Sequence, residues 1–399
     1  MSKLERLIQQ YCPDGVEYVR LVDYANVLYG CPFDATQFTD DNSFIPLIRI
    51  RDILSGKAGT YYKGDYSQDY IVKKGDILVG MDGNFNLGIW NDIDGLLCQR
   101  VCKLYAKDET RLLNGFIRHY MKPVFRQIEE STPGGSVKHL SAKAIKSIRI
   151  PLPPLPVQKE IVRILDAFTE LQAELQAELQ KRQQQYNFYR DNLLTNFTEE
   201  QNVKEYSLGE LGTFTRGNGL QKKDFTKEGV GCIHYGQIYT RFGAFADKTL
   251  TYVNKELASR LLQVEKGNLV IACTSENVED ICKSVAWLGE ENICTGGHAC
   301  VFKHNQNPKY ISYFFQTEYF FNQKKKYTYG TKVKDIKPDS IAKIKISLPS
   351  LKEQERIVSI LDNLYTLTND LTSGLPAEME KRRQQYEYYR DRLLTFKRL

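Results

Sequence analysis

Apolar residues in two long stretches of the chain recur at gaps of three and four. Ile161, Ile164, Phe168, Leu171 and Leu175 form one series, and Ile357, Ile360, Leu364, Leu367 and Leu371 form the other. That spacing lays one narrow apolar seam along a helix, the pattern of a coiled-coil strand. The first seam then steps four residues to Leu179, inside the tandem repeat ELQAELQAELQ (170–180), and resumes through Tyr186, Tyr189 and Leu193. Such a four-residue insertion is a stutter. The second seam steps twice, to Leu375 and Met379, before Tyr386, Tyr389 and Leu393. Gly374 and Pro376 predict a kink or break at those steps, because proline removes a helix hydrogen bond and clashes with the preceding turn.

Away from these stretches the pattern shortens. Apolar runs such as ILVG (77–80) and LVIAC (269–273) are bounded by Gly, Asn and Asp, which predicts brief strands joined by turns. No series of βαβ units is visible, so the class expected is α+β.

The two patterns alternate because the chain is a tandem duplication. IPLPPLPVQKEIVRILD (150–166) aligns with ISLPSLKEQERIVSILD (346–362), with Gln158 and Gln354 at an offset of 196. KRQQQYNFYRDNLLT (181–195) aligns with KRRQQYEYYRDRLLT (381–395), where Arg190 and Arg390 give an offset of 200. The four extra residues in the second copy are the second seam's additional step. Fainter matches join VKKGDILVG (72–80) to VEKGNLVIA (264–272), and GGSVKHLSAKAIKSIRI (134–150) to YGTKVKDIKPDSIAKIKI (329–346). Between these anchors the halves diverge. The order is therefore a domain at 1–155, a helical region at 156–200, a second domain at 201–350 and a second helical region at 351–399. Prolines 151, 153, 154 and 156 mark the first boundary and Pro349 the second, since proline forces itself and its predecessor into extended conformations. Each helix, of about forty residues, would be roughly 60 Å long at 1.5 Å per residue. That exceeds a small domain, so each needs a partner along its length, and the other helix is the obvious one.

Composition adds limits. With 42% hydrophobic and 26% charged residues, the chain is ordinary for a folded protein. Its longest apolar runs are too short to span a bilayer, and MSKLERLIQQ lacks the apolar core of a signal peptide. A cytoplasmic location without membrane contact is expected. The nine cysteines are irregularly spaced, which suits reduced, buried thiols. Cys282, Cys294, His298 and Cys300 could be considered for zinc, but CTGGHAC lacks the two-residue gap usual between paired thiolates. A net charge of +6 is too modest to identify a nucleic-acid binder by itself.

The duplicated order of P-L-P-P-L-x-x-Q or L-P-S-L-x-x-Q entering a helix, with QQY-x-x-YRD-x-LLT near its end, resembles the DNA specificity subunit of a type I restriction–modification system. The resemblance spans essentially the whole chain. It implies two duplicated α+β target-recognition domains, built of short strands with helices. These would be separated by two long antiparallel coiled-coil helices with pseudo-two-fold symmetry. It further implies that each domain reads one half of a bipartite site on double-stranded DNA. The helices would fix the unread spacer and dock two methyltransferase (modification) subunits, which motor–nuclease (restriction) subunits join. No cofactor is expected in this subunit; S-adenosylmethionine, ATP and Mg would belong to its partners. The chain agrees, having no G-x-x-x-x-G-K-[ST] loop and no N/D-P-P-Y/F tetrapeptide. GMDGNFNLG (80–88) lacks G-x-G-x-x-G spacing, and no Ser/His/Asp or His-Glu-x-x-His arrangement stands out. A structural or adaptor coiled-coil protein without nucleic acid is the alternative. A self-sufficient nuclease–methyltransferase is disfavoured by the missing motifs.

Base edges are read by side chains with paired donors and acceptors, and phosphates by Lys, Arg and backbone amides. In the first domain the candidates are Arg49 and Arg51, expected on one strand face, with Asp82, Asn84 and Asn86 on the following loop and Lys138 and His139 further on. In the second, matched stretches offer His234, Tyr235 and Gln237, then Thr274, Ser275 and Asn277, then Lys332 and Lys334. For any one of these a solvated surface or turn role competes; what points to recognition is that corresponding polar loops differ between the halves. QKKK (323–326) reads as a solvated charge run. The helix-pair and docking candidates are Ile161, Phe168, Leu175, Tyr189 and Arg190 on the first helix. On the second they are Ile357, Leu364, Leu371, Tyr389 and Arg390, with Arg190 and Arg390 expected in salt bridges.

Overall fold

Helix α1 (Asn114–Ser131) lies in the first half of the chain, and α2 (Leu155–Thr195) is a single helix of 41 residues. The second half contributes α3 (Tyr235–Thr240), α4 (Pro308–Phe314) and α5 (Glu318–Tyr327), then α6 (Leu351–Asn369) and α7 (Gly374–Leu393). The computed structural model describes residues 2–132, 138–198, 203–369 and 374–399. Two units divide the chain: Met1–Ala173 with Lys381–Leu399, and Glu174–Glu380. The division falls inside α2 and α7, so each unit holds a share of both long helical regions.

In the first unit, strands 25–29, 101–106, 77–80 and 87–89 form one antiparallel sheet in that order. A second sheet combines 45–48 with 95–97 in parallel register, Leu47 facing Leu96. Strand 18–20 pairs with 149–151, closing the domain where the prolines begin. The turn into strand 77–80 shows why its sequence recurs. Gly75 takes a φ of +94°, and Asp76 accepts a hydrogen bond from the Lys73 amide at 2.7 Å. In the second unit Gly267 has a φ of +90° and Asn268 accepts from the Glu265 amide at 3.1 Å. Only glycine adopts that backbone cheaply. Strands 212–216, 299–304, 269–272 and 284–287 then repeat the first unit's order, with 245–246 added in parallel beyond 284–287 and 204–207 pairing 345–348 as the closing ribbon.

Each domain core extends into the long helices. Phe116, Ile117, Met121 and Phe125 of α1 share a core with Val157, Ile161 and Leu165 of α2 and with Tyr386 and Leu394 near the chain's end. In the second unit, Tyr310, Tyr313 and Phe320 pack with Tyr186 and Leu194 of α2 and Ile357, Val358 and Leu361 of α6. Within the first unit, then, the start of α2 lies with the end of α7; within the second, the end of α2 lies with the start of α6. That is the order of an antiparallel pair.

The seam differs from expectation at Tyr189, which is 48% exposed while Tyr186 and Tyr386 are buried; Tyr389, though 40% exposed, keeps a contact with Phe168 of α2. Tyr186, Arg190 and Leu194 are buried four residues apart, and Tyr386 and Leu394 repeat this with Arg390 half-buried between them. These segments pack against a globular core rather than a single slender helix, which favours a wider 3.6-residue face. Leu175 and Leu364 are half-buried, and Leu371 lies outside the described residues. Gly374, where a break is expected, has a φ of +71°, and residues 370–373 before it lie outside the described residues. Among the described residues no helix is long and apolar enough to cross a membrane.

Candidate nucleic-acid interface

Three loops meet at one end of the main sheet in each domain. In the first, the Met81 amide donates to Arg100 O at 2.8 Å, the Leu140 amide to Met81 O at 2.7 Å, and the Gly83 amide to Lys138 O at 2.9 Å. Asp82 is the hub. Its carboxylate receives Arg100 Nη1 at 2.7 Å and His139 Nδ1 at 2.5 Å. Its own side chain is only 12% exposed, against 63% for Arg100 and 60% for His139. The donors thus face solvent over a sheltered anion. Asn84 is exposed and Asn86 half-buried beside them. Buried Phe85 plugs the loop, and its amide donates to Glu129 of α1 at 2.9 Å. Lys138 is spent locally, donating to Glu129 O.

The second domain builds the same junction from other side chains. The Cys273 amide donates to His298 O at 2.7 Å and the Ile336 amide to Cys273 O at 3.1 Å. Thr274 and Ser275 pair in antiparallel register with Asp335 and Lys334. Here the carboxylate sits on the other loop: Asp335 accepts from Arg216 Nη1 and Nη2 at 3.0 and 2.6 Å and from the Tyr329 hydroxyl at 3.0 Å. Burial alone would raise the Asp335 carboxyl, but the bonds from Arg216 and Tyr329 outweigh it and hold the group below its usual range. A cavity of about 520 Å³ opens beside this junction, lined by Tyr235, Tyr239, Thr274, Ser275, Asn277 and His298.

Several candidates have structural duties. His234 is buried and caps α3, its Nδ1 accepting from the Gly236 amide at 3.2 Å. Gln237 completes the cap by accepting from the His234 amide at 3.0 Å, and donates to Thr251 Oγ1 at 3.2 Å. Tyr235 is half-buried, its ring 5.0 Å from that of His298. Asn277 is exposed but folds its amide onto Asp280 at 2.7 and 2.8 Å. Lys334 donates to Gly330 O at 2.8 Å, and Lys332 is exposed. Arg49 and Arg51 are not on a strand. The strand ends at Ile48, because Asp52 accepts from the Arg49 amide at 2.9 Å and winds residues 50–52 into a single turn. Both arginines are exposed, Arg51 donating to Thr60 at 2.5 Å.

The charge run is also revised. Lys324 is buried and donates to Glu279 O at 2.9 Å and Ile281 O at 2.5 Å. Burial lowers its pKa. It pins the polar loop after Ser275, as Glu129 pins the loop at Phe85, with donor and acceptor exchanged. The four residues considered for zinc are dispersed. Cys294 lies in a different apolar cluster from Cys282 and Cys300, and His298 is exposed. Arg100 and Arg216 were not singled out in the sequence. Each lies far in sequence from the carboxylate it meets, Arg100 beside Asp82 and Arg216 beside Asp335.

Where the domains join the helices, the duplication is literal. Gln158 is fully buried; it accepts from the Leu113 amide at 2.9 Å and donates to Arg111 O and Pro153 O at 2.8 and 2.7 Å. Gln354, equally buried, accepts from the Asn307 amide at 3.0 Å and donates to Pro349 O at 2.9 Å. Eight residues on in each copy, Asp166 binds Arg118 and His119 of α1, and Asp362 binds Lys309 and Tyr313 of α4. Arg190 and Arg390 hold the neighbouring Asp191 and Asp391 at 2.8 Å, and lie 5.5 and 5.7 Å from the rings of Tyr186 and Tyr386.

A duplicated α+β chain with one polar junction per copy is the class these features define. The chain belongs to the type I restriction–modification DNA specificity family, whose domain matches it twice, over residues 13–182 and 200–381. It is 32% identical over 362 residues to the putative type I restriction enzyme specificity subunit S.HindORF215P of Haemophilus influenzae, covering 84% of this chain and 88% of that one. The EcoR124I/EcoR124II specificity subunit of Escherichia coli is 31% identical over 317 residues, 77% of each chain. Among solved structures, the S subunit from M. genitalium shares the fold with a TM-score of 0.52 at 14% identity, over 96% of both chains. A chain from a structure concerned with complex assembly of the type I R-M system gives 0.57 at 17% identity, over 96% of this chain and 98% of that one.

Proposed function

We propose that this chain is the non-catalytic, sequence-reading subunit of a type I restriction–modification complex, each domain reading one half of a bipartite DNA site. The observation that carries this is the three-loop junction built twice on one backbone plan with different side chains. Asp82, Arg100 and His139 occupy it in one domain, and Arg216, Asp335 and His298 in the other. A conserved plan with exchanged donors and acceptors suits two readers of unlike base sequences. The helical regions would fix the unread spacer and present surfaces to two modification subunits, with restriction subunits joining them. S-adenosylmethionine, ATP and Mg would be bound by those partners.

Methylome sequencing of cells expressing this chain with its modification subunit tests the proposal. A motif of two specific halves separated by a fixed number of unspecified bases is expected. A contiguous motif, or one that persists without this chain, would overturn it.

A further inference from the structure

Four non-glycine residues among those described have positive φ: Arg100 at +70°, Leu220 at +55°, Cys282 at +64° and His298 at +68°. Two of them, Arg100 and His298, occupy the same corner of the two domains. Each gives its carbonyl to the first residue after the central strand, Met81 or Cys273, at 2.8 and 2.7 Å. Each is followed two residues later by a cysteine that pairs with the last residue of the sheet's first strand, Cys102 with Tyr29 and Cys300 with Arg216. Left-handed backbone is costly for a side chain with a Cβ, and glycine would relieve it. Both copies keep that conformation with large polar side chains, and strain of this kind gathers where a side chain must be aimed.

The side chains at the corner are also supported. Arg100 is exposed but held by Asp82 through one nitrogen, Nη1 at 2.7 Å, leaving the other donors of the fork outward. His298 stands exposed with its ring 5.0 Å from Tyr235, at the mouth of the cavity already described. Arg216 differs, because both terminal nitrogens are committed to Asp335.

We infer that this corner is the base-reading position of each domain, with Arg100 recognising a guanine in one half-site and His298 reading a base edge in the other. Guanine presents O6 and N7 as paired acceptors in the major groove, which an arginine fork matches, and a carboxylate behind the fork fixes its direction. The inference rests on the DNA-reading role proposed above.

The test uses the full chain with its modification subunits and a pool of duplex oligonucleotides randomised across both half-sites, the bound fraction being sequenced. Arg100→Gly suits the backbone it replaces, so the fold is kept. It should abolish selection of one guanine in one half-site, reducing discrimination there by roughly 5- to 150-fold, with the other half unchanged. Arg100→Lys keeps the charge but not the fork, and should lose the same base preference while retaining most affinity. His298→Gly should relax one position in the opposite half. If R100G weakens all sequences equally with an unaltered motif, Arg100 is a phosphate contact and the inference fails; an unchanged motif and affinity also overturn it. A wild-type chain selecting no motif would instead defeat the recognition role itself.

Discussion

The ring of Phe168 stacks on that of Tyr389, with centroids 5.5 Å apart and planes inclined by 25°. Phe168 lies near the start of α2 and Tyr389 near the end of α7, so within the first unit the contact ties the two helical regions together. A stacked aromatic pair contributes about 0.5–1.5 kcal/mol beyond its buried area. Tyr389 is 40% exposed, which places this pair toward the lower end. A double-mutant cycle of Phe168→Ala and Tyr389→Ala, followed by denaturant unfolding, should give a coupling of about 0.5–1 kcal/mol. Strict additivity would show that the rings do not support each other.

Gln158 and Gln354 supply a second expectation, because each buried side-chain amide bonds several backbone groups at its domain junction. Replacing Gln158 by leucine keeps the volume but strips partners from the Leu113 amide and the carbonyls of Arg111 and Pro153. An orphaned buried group costs about 1–3 kcal/mol; only the bond to Pro153 O is fully buried, the other two being part-buried, so a loss of about 2–4 kcal/mol is expected for Q158L. Amide exchange should quicken at Leu113 while protection at Asn307 stays unchanged. Gln354→Leu should do the reverse. Equal loosening at both sites would contradict two independent clasps.

The duplicated glutamines and the two long helices were legible in the sequence because they rest on local periodicity and on words repeated at fixed offsets. Leu175 and Leu364, expected on the seam, are half-buried. Tyr189, also expected there, is exposed, since the 3–4 rule assumes a helix partner and that segment also packs on a domain core. The polar loops of each junction could be picked out from the matched stretches, but their contacts were only half visible. Asp82 and His139 could be proposed from their loops; Arg100 and Arg216 could not, because their carboxylate partners lie 18 and 119 residues away. Lys324 shows the same limit. A run of three lysines looks solvated until tertiary packing buries one of them against the Glu279 and Ile281 carbonyls.

Acid should weaken the first unit through His119. This residue is 2% exposed, and with its proton on Nε2 it donates to Asp166 at 2.6 Å and accepts from the Tyr386 hydroxyl at 3.1 Å. Burial pushes its pKa down from 6.5 to about 4; the bond to Asp166 opposes the shift, and Arg118 and Lys122 reinforce it. A lowered folded-state pKa means the unfolded chain takes up the proton first. The stability linked to His119 is therefore full above about pH 6.5 and is lost as pH falls toward 4, by roughly 3 kcal/mol. His119→Gln should flatten that part of the pH–stability curve. Parallel curves for the two proteins between pH 7 and 4 would refute the linkage.

The last expectation concerns spacing and follows from the proposed function. Residues 174–177 form one ELQA unit within α2, at the point where the two units divide. The buried anchors of the helix lie on either side of it, Ile161 and Leu165 before and Tyr186 and Leu194 after. Removing this unit should leave both domain cores intact. At 1.5 Å per residue the helix shortens by about 6 Å, and a duplex rises about 3.4 Å per base pair. The gap between half-sites should contract by one or two base pairs while both specific halves keep their sequence, as methylome sequencing would show. Four residues also turn a helix by about 40° beyond a full revolution, so the contraction should come with slower methylation. An unaltered gap would mean that α2 does not set the spacing. A changed half-site would mean that the domains are not independent readers.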